Sequence, residues 1–225
     1  MAKMTSGRAE PVDLRTKAIL LACAVIAYVS GYWPNRLVLQ QGMKALGNPA
    51  YEGFAGAFLP HLLLYSTLPA LLCALMWVVL SRKRMMMSMP FGNIRDSLSI
   101  GVATGIATLV VLLAMVWAIM PEGTIHWIAP QPWKIAGNIF SNFYEEYIFR
   151  GFILLALMRV IGFWPAAILS SVMWAGMHTQ YPFAFQAFIA FAGTFFAWAG
   201  RRARSLWAPY TAHMTLDLIA DCLIG

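Results

Sequence analysis

The apolar residues of this chain neither alternate nor keep to one helical face; they run on. Seven such stretches can be cut, at about 17–33, 54–80, 98–120, 135–158, 164–179, 182–200 and 206–224. A helix needs about twenty predominantly apolar residues to cross the hydrocarbon core of a bilayer. The pattern therefore predicts an all-α integral membrane protein, a single bundle of about seven transmembrane helices. Pro121, Pro165 and Pro182 fall where helices should end or begin, because proline cannot continue a helix on its N-terminal side. Pro60 and Pro69 lie inside the second stretch and predict a kink there. The organisation expected is a polar cytoplasmic N-terminus at 1–16, supporting helices over 17–133, and a chemically distinct region over 134–225. The first apolar run is too long for a signal-peptide core and no convincing cleavage site follows, so it is read as a retained span.

Composition agrees: 60% of the residues are hydrophobic and 11% charged, where a water-soluble domain carries roughly 25% charged residues. Charge then sets an expected orientation. With the N-terminus inside, the inner segments hold Lys3, Arg8, Arg15, Lys17, Arg82, Lys83, Arg84, Arg95, Arg159, Arg201, Arg202 and Arg204, twelve in all. The outer loops hold Arg36, Lys44 and Lys134. That bias predicts a cytoplasmic N-terminus and an outside C-terminus in the cell membrane. The net charge of +7 is thereby assigned to topology and lipid headgroups, and no nucleic-acid partner is expected. The basic, Met-rich stretch 84–95 reads either as an interfacial segment or as a loop packed on the bundle. Cys23, Cys73 and Cys222 lie in apolar stretches without a CxxC pair and read as small buried hydrophobes.

Against this background the fourth stretch stands out, with Glu145, Glu146 and Arg150 inside it. Each charge costs about 2.5–3.5 kcal/mol at the centre of a membrane helix, and such residues mark functional sites by default. Glu146 and Arg150 are four apart and can pair along one face. Glu145 is turned about 100° away and is left as the free carboxylate, a candidate general base or acid. His178 ends the fifth stretch. His213 and Asp217, again four apart, share a face of the seventh. His61 and His126 have no companions at useful spacing and are read as structural, and Asp221 as solvated near the outer end of the last span.

A carboxylate, two imidazoles and a second carboxylate in a wet pocket suit hydrolysis of an amide bond. Glu145 and His178 would take a proton from water, while His213 and Asp217 would steady the oxyanion or hold a metal. No Ser or Cys occupies a persuasive nucleophile position. Glu145, His178, His213 and Asp217 could together bind a divalent metal such as zinc, but the HExxH spacing of helical zinc proteases is absent, and no cofactor is favoured. Two other classes fit the same residues: a non-enzymatic membrane binding or immunity protein, and a small ion or solute transporter. The transporter is disfavoured by the absence of an inverted repeat.

Glu145-Glu146-x-x-x-Arg150, the aromatic-x-x-x-His ending at His178, and His213-x-x-x-Asp217 together resemble the CPBP intramembrane protease family, the CAAX protease and bacteriocin-processing group also called Abi. The resemblance covers about residues 135–221. It implies an all-helical intramembrane endopeptidase in which Glu145 and His178 activate water, His213 and Asp217 stabilise the oxyanion, and Arg150 supports the site. Two departures are visible. The prenyl endopeptidases of the family carry Asn where this chain has Asp217, and an ionised Asp cannot donate to an oxyanion. Trp174 stands where Phe is commoner, which is expected to alter packing and not chemistry. The partners implied are lipid and a membrane-associated peptide or protein segment: a leader, a sorting signal or a CAAX-like terminus. A metal-independent glutamate mechanism is expected.

Overall fold

Asp13 starts the first helix. Its carboxylate accepts hydrogen bonds from the backbone N–H of Thr16, at 2.9 Å, and from the Thr16 hydroxyl, at 2.6 Å. These bonds satisfy one of the orphan donors of the first turn and hold the Asp13 carboxyl below its ordinary range. In the computed structural model, which describes residues 12–45, 67–86, 91–120, 124–129 and 132–224, the described elements are all helical: α1 (Leu14–Ala45), α2 (Leu68–Arg82), α3 (Ile94–Ile119), α4 (Pro132–Glu146), a π-helical stretch (Tyr147–Ile153), α5 (Leu154–Ile161), α6 (Phe163–Met177), α7 (Phe183–Ala203) and α8 (Trp207–Leu223). Among the described residues the only extended pairing is two isolated bridges, Phe91 with Ser205 and Ile125 with Ile224.

Among the described residues three helices are long and apolar enough to cross a membrane: the Leu14–Tyr32 part of α1, all of α3 and all of α7. Helices α2 and α6 are apolar but shorter. Large apolar side chains such as Leu71, Leu75, Val110 and Trp117 point outward, the reverse of a bundle built for water and the arrangement a lipid solvent favours.

Several expected boundaries move. The backbone of α1 stays helical to Ala45, so Arg36 and Lys44 lie on a helix and not in a loop; Leu37, Leu39, Gln40 and Gln41 are good helix formers. Pro69 sits in the first turn of the described α2, where a missing N–H costs nothing; Pro60 and His61 lie outside the described residues. The fourth expected span proves to be three pieces end to end, α4, the π-helical stretch and α5.

The ends of α2 and α7 are closed alike. Met85 N–H bonds to Leu80 C=O and Ser205 N–H to Gly200 C=O, the six-to-one closure of a Schellman motif. The left-handed position is filled by Arg84 in one and Arg204 in the other, which places a cation at a negative helix end. Of the 84–95 segment, Phe91 and Gly92 dock on the turn after α7, with Gly92 N–H bonded to Arg204 C=O at 3.2 Å; residues 87–90 lie outside the described residues.

Helices α3 and α8 run parallel. The bridge at Phe91 and Ser205 ties their beginnings and that at Ile125 and Ile224 their ends. Their backbones meet at Gly101 and Gly105, where an added Cβ would lie 2.6 Å from the carbonyl oxygens of Ala208 and Ala212 respectively. This is the small-residue spacing that lets helices approach closely where lipid gives no hydrophobic drive. It fixes α8 against α3 and so presents the other side of α8 to α4.

Candidate active site

Helix α4 meets α8 along a polar seam. Asn138 Nδ2 donates to Asp221 Oδ2 at 3.0 Å. Asn142 Nδ2 donates to Asp217 Oδ2 at 2.9 Å. His213 Nδ1 lies 3.0 Å from Glu146 Oε1. Asp221 is thus a paired residue on the cavity wall, a correction to its reading as solvated: the amide on α4 reaches it.

The ion pair expected from spacing is present. Arg150 Nε lies 3.3 Å from Glu146 Oε2, with both side chains almost fully buried. Among the described residues the Arg150 nitrogens find no hydrogen-bond acceptor. The guanidinium instead lies 4.3 Å over the Trp174 ring and 5.9 Å from that of Phe196, cation–π contacts that partly replace lost hydration. Gly193 on α7 leaves it room, because a Cβ there would collide with Arg150. The π-helical stretch begins directly after Glu146; such widened turns concentrate at functional sites, and here one follows the Glu–Glu pair.

Glu145 points elsewhere, into a cavity of about 470 Å³ that Trp174, His178, Asn142, His213 and Asp217 also line. Trp174 holds two of these groups at once. Its Nε1–H donates to Glu145 Oε2 at 2.7 Å, and its backbone carbonyl lies 3.0 Å from His178 Nδ1. A carbonyl only accepts, so Nδ1 carries the hydrogen and Nε2 is the lone-pair nitrogen of the neutral ring. Helix α6 ends at Met177, and His178 leaves helical geometry, which frees its ring to stand beside Tyr181, centroids 6.2 Å apart and nearly parallel. The expectation that Trp174 matters only for packing is therefore corrected: a phenyl ring could not make the bond to Glu145.

His213 is enclosed. Besides Glu146 at Nδ1, its Nε2 lies 3.3 Å from Asp217 Oδ2, so both ring nitrogens face carboxylates. Asp217 accepts from Asn142 as well. It acts as an acceptor, and the amide that sequence reasoning passed over, Asn142, is a donor in the same wall. A divalent ion would need several convergent ligands. Among the described residues no three His, Cys, Asp or Glu side chains are placed to share one, and the nitrogens of His213 are already engaged. The four residues do not fit a metal centre as they stand. Cys23, Cys73 and Cys222 are free thiols, and Cys73 is wholly buried. His126 lies on the segment bonded to the end of α8, with its N–H on Leu223 C=O.

Residues 127–219 match a family model described as type II CAAX prenyl endopeptidase Rce1-like, which falls within the CPBP/CAAX protease family. The matched stretch contains every cavity residue named above except Asp221. No curated protein and no solved structure matches the chain.

Proposed function

With residues 127–219 placed in the CPBP/CAAX protease family and apolar helices that make the chain an integral membrane protein, we propose that it is an intramembrane endopeptidase that uses water activated by Glu145 and His178. The observation that carries this reading is the double hold of Trp174 on Glu145 and His178, two residues that line one cavity. Water placed between them loses a proton to that base pair, and its oxygen attacks the peptide carbonyl carbon. Negative charge collects on the carbonyl oxygen, where Asn142 Nδ2 is the donor at hand, since beyond its bond to Asp217 it faces only the weak thioether acceptor of Met214; Asp217 orients that amide. The proton is returned to the amide nitrogen, the C–N bond breaks, and a carboxylic acid and an amine leave. No step passes through a metal.

The substrate class proposed is a membrane-associated peptide or terminal protein segment: a leader, a sorting signal or a CAAX-like end. Residues 134–225 hold the chemistry and the preceding helices support it. Seven spans with the N-terminus cytoplasmic and the C-terminus outside fit the two bridges, since the alternation puts Phe91 with Ser205 inside and Ile125 with Ile224 outside.

The test is a comparison of protein termini by mass spectrometry in cells that express wild type or Glu145→Gln at equal membrane levels. New termini made only by wild type are expected. Identical termini would move the assignment to a binding or immunity protein. Two further results are expected once a cut is known. Activity survives chelation; its loss, with recovery on adding Zn²⁺, would reverse the metal-free assignment. Trp174→Phe keeps the aromatic ring but removes a hydrogen bond to a carboxylate, a contact of about 1.5–3 kcal/mol. It should lower kcat/KM by roughly tenfold or more at unchanged membrane level, and full activity would show that Glu145 does not depend on that bond.

A further inference from the structure

The three contacts across the α4–α8 seam pair 138 with 221, 142 with 217 and 146 with 213. Each step is four residues on both helices, taken in opposite directions. A regular ladder of this kind follows from two antiparallel helices whose facing stripes recur at i and i+4. Its third rung is sealed, since Glu146 is wholly buried. The first two rungs line the cavity, and each consists of one amide and one carboxylate.

An Asn side chain offers two donor and two acceptor positions, and a carboxylate several acceptor positions. The outer rung spends one donor and one acceptor on itself and keeps the rest. In the inner rung Asn142 also accepts from Ser141 Oγ at 3.3 Å and its Nδ2 lies 3.5 Å from Met214 Sδ, while Asp217 Oδ2 also faces His213 Nε2 at 3.3 Å; it keeps its remaining acceptor positions and an N–H held only by a weak thioether acceptor. Each rung can therefore offer the cavity a hydrogen-bond donor and an acceptor, the two groups that a peptide backbone needs. Spacing matches as well. Four residues of helix rise about 6 Å, and two residues of extended chain advance about 6.6 Å. Successive residues of an extended strand turn their backbone groups to alternate sides, so every second one can meet a rung.

We propose that the Asn138–Asp221 and Asn142–Asp217 rungs form a backbone-binding track that holds the substrate as an extended strand, in the manner of strand addition to a sheet edge. This rests on the endopeptidase reading. The inner rung sits at the scissile carbonyl beside Glu145, three residues along α4 from Asn142. The outer rung takes the backbone N–H and C=O two residues away, on one side of the cut only, because Glu146 and His213 close the other end. Recognition through the backbone makes this subsite tolerant of side-chain identity and demanding of an unfolded, extended segment.

The test uses a synthetic peptide spanning the cut site found by the comparison of termini, with a set of analogues each N-methylated at one backbone position. Purified full-length wild type, Asn138→Ala and Asp221→Ala are assayed in detergent. N-methylation two residues from the scissile bond, on one side, is expected to lower wild-type kcat/KM about tenfold. The same analogue should lose no more than twofold against Asp221→Ala or Asn138→Ala, which are themselves slower on the parent peptide mainly through KM. Equal sensitivity of wild type and both variants to every analogue would overturn the track while leaving the protease in place. If wild type yields no cut that Glu145→Gln lacks, the protease reading itself falls and the track with it. The two rung variants act from opposite helices, so one that fails to fold leaves the other to decide.

Discussion

Arg150→Ala is expected to be the most damaging single change to the fold. Glu146 and Arg150 are both buried, and removing one partner of a buried pair leaves an uncompensated charge, at a cost of about 3–5 kcal/mol. Here the remaining charge, Glu146, keeps only His213, and the cation–π contacts with Trp174 and Phe196 vanish together with the ion pair. Purified in detergent, the variant should unfold roughly 10 °C or more below wild type, or fail to accumulate in the membrane. Replacing both partners at once, as Glu146→Gln with Arg150→Met, should cost less than Arg150→Ala alone, because no bare charge is left behind. A Tm for Arg150→Ala equal to wild type would refute the picture of a sealed pair and imply that water reaches Glu146.

The largest effect on rate belongs to Glu145 and His178, and the form of that effect is diagnostic. Glu145→Gln is close to isosteric, and its side-chain oxygen can still accept from Trp174 Nε1, so the fold and the cavity should survive. What is lost is a base. Acid–base groups of this kind contribute about 10²–10⁴-fold, and a loss in that range is expected in kcat with little change in KM. His178→Ala should lose a similar factor. On the proposed mechanism the two share one water, so the double variant should be hardly worse than either single one, as groups that work as a unit are grossly non-additive. Multiplying losses would mean that the two residues serve separate steps and would undo the shared-water reading.

Much of the site was legible from spacing alone. The division of labour between Glu145 and Glu146 follows from 100° per residue, and the Glu146–Arg150 pair from a four-residue step; both need only one helix. What escaped notice depends on two. Asn138 and Asn142 carry no charge and make no pattern by themselves, and their meaning appears only when α4 is set against α8 in one particular register. Asp221 was misplaced for the same reason. The sequence shows only the bulk of Trp174; nothing in it says that the N–H points at a carboxylate on another helix. The π-helical stretch after Glu146 left no trace, because a widened turn needs no special side chain. The full length of α1 is hidden because Pro34 and Gly42 punctuate a stretch with two cations, and such a stretch reads as a loop although Leu37, Leu39, Gln40 and Gln41 between them favour a helix.

The manner in which Trp174 grips its neighbours bears on how the site would tolerate thermal motion. Helices in a lipid bilayer slide and tilt against one another, and a base pair divided between α4 and α6 would ordinarily change its separation with every such shift. One residue here supplies the reference point for both halves: its indole for the carboxylate, its carbonyl for the imidazole. A small displacement of α6 carries the imidazole along and draws the flexible end of the carboxylate after it. Such drift becomes common-mode, and the gap proposed to hold the water would be insulated from the looseness of the surrounding membrane.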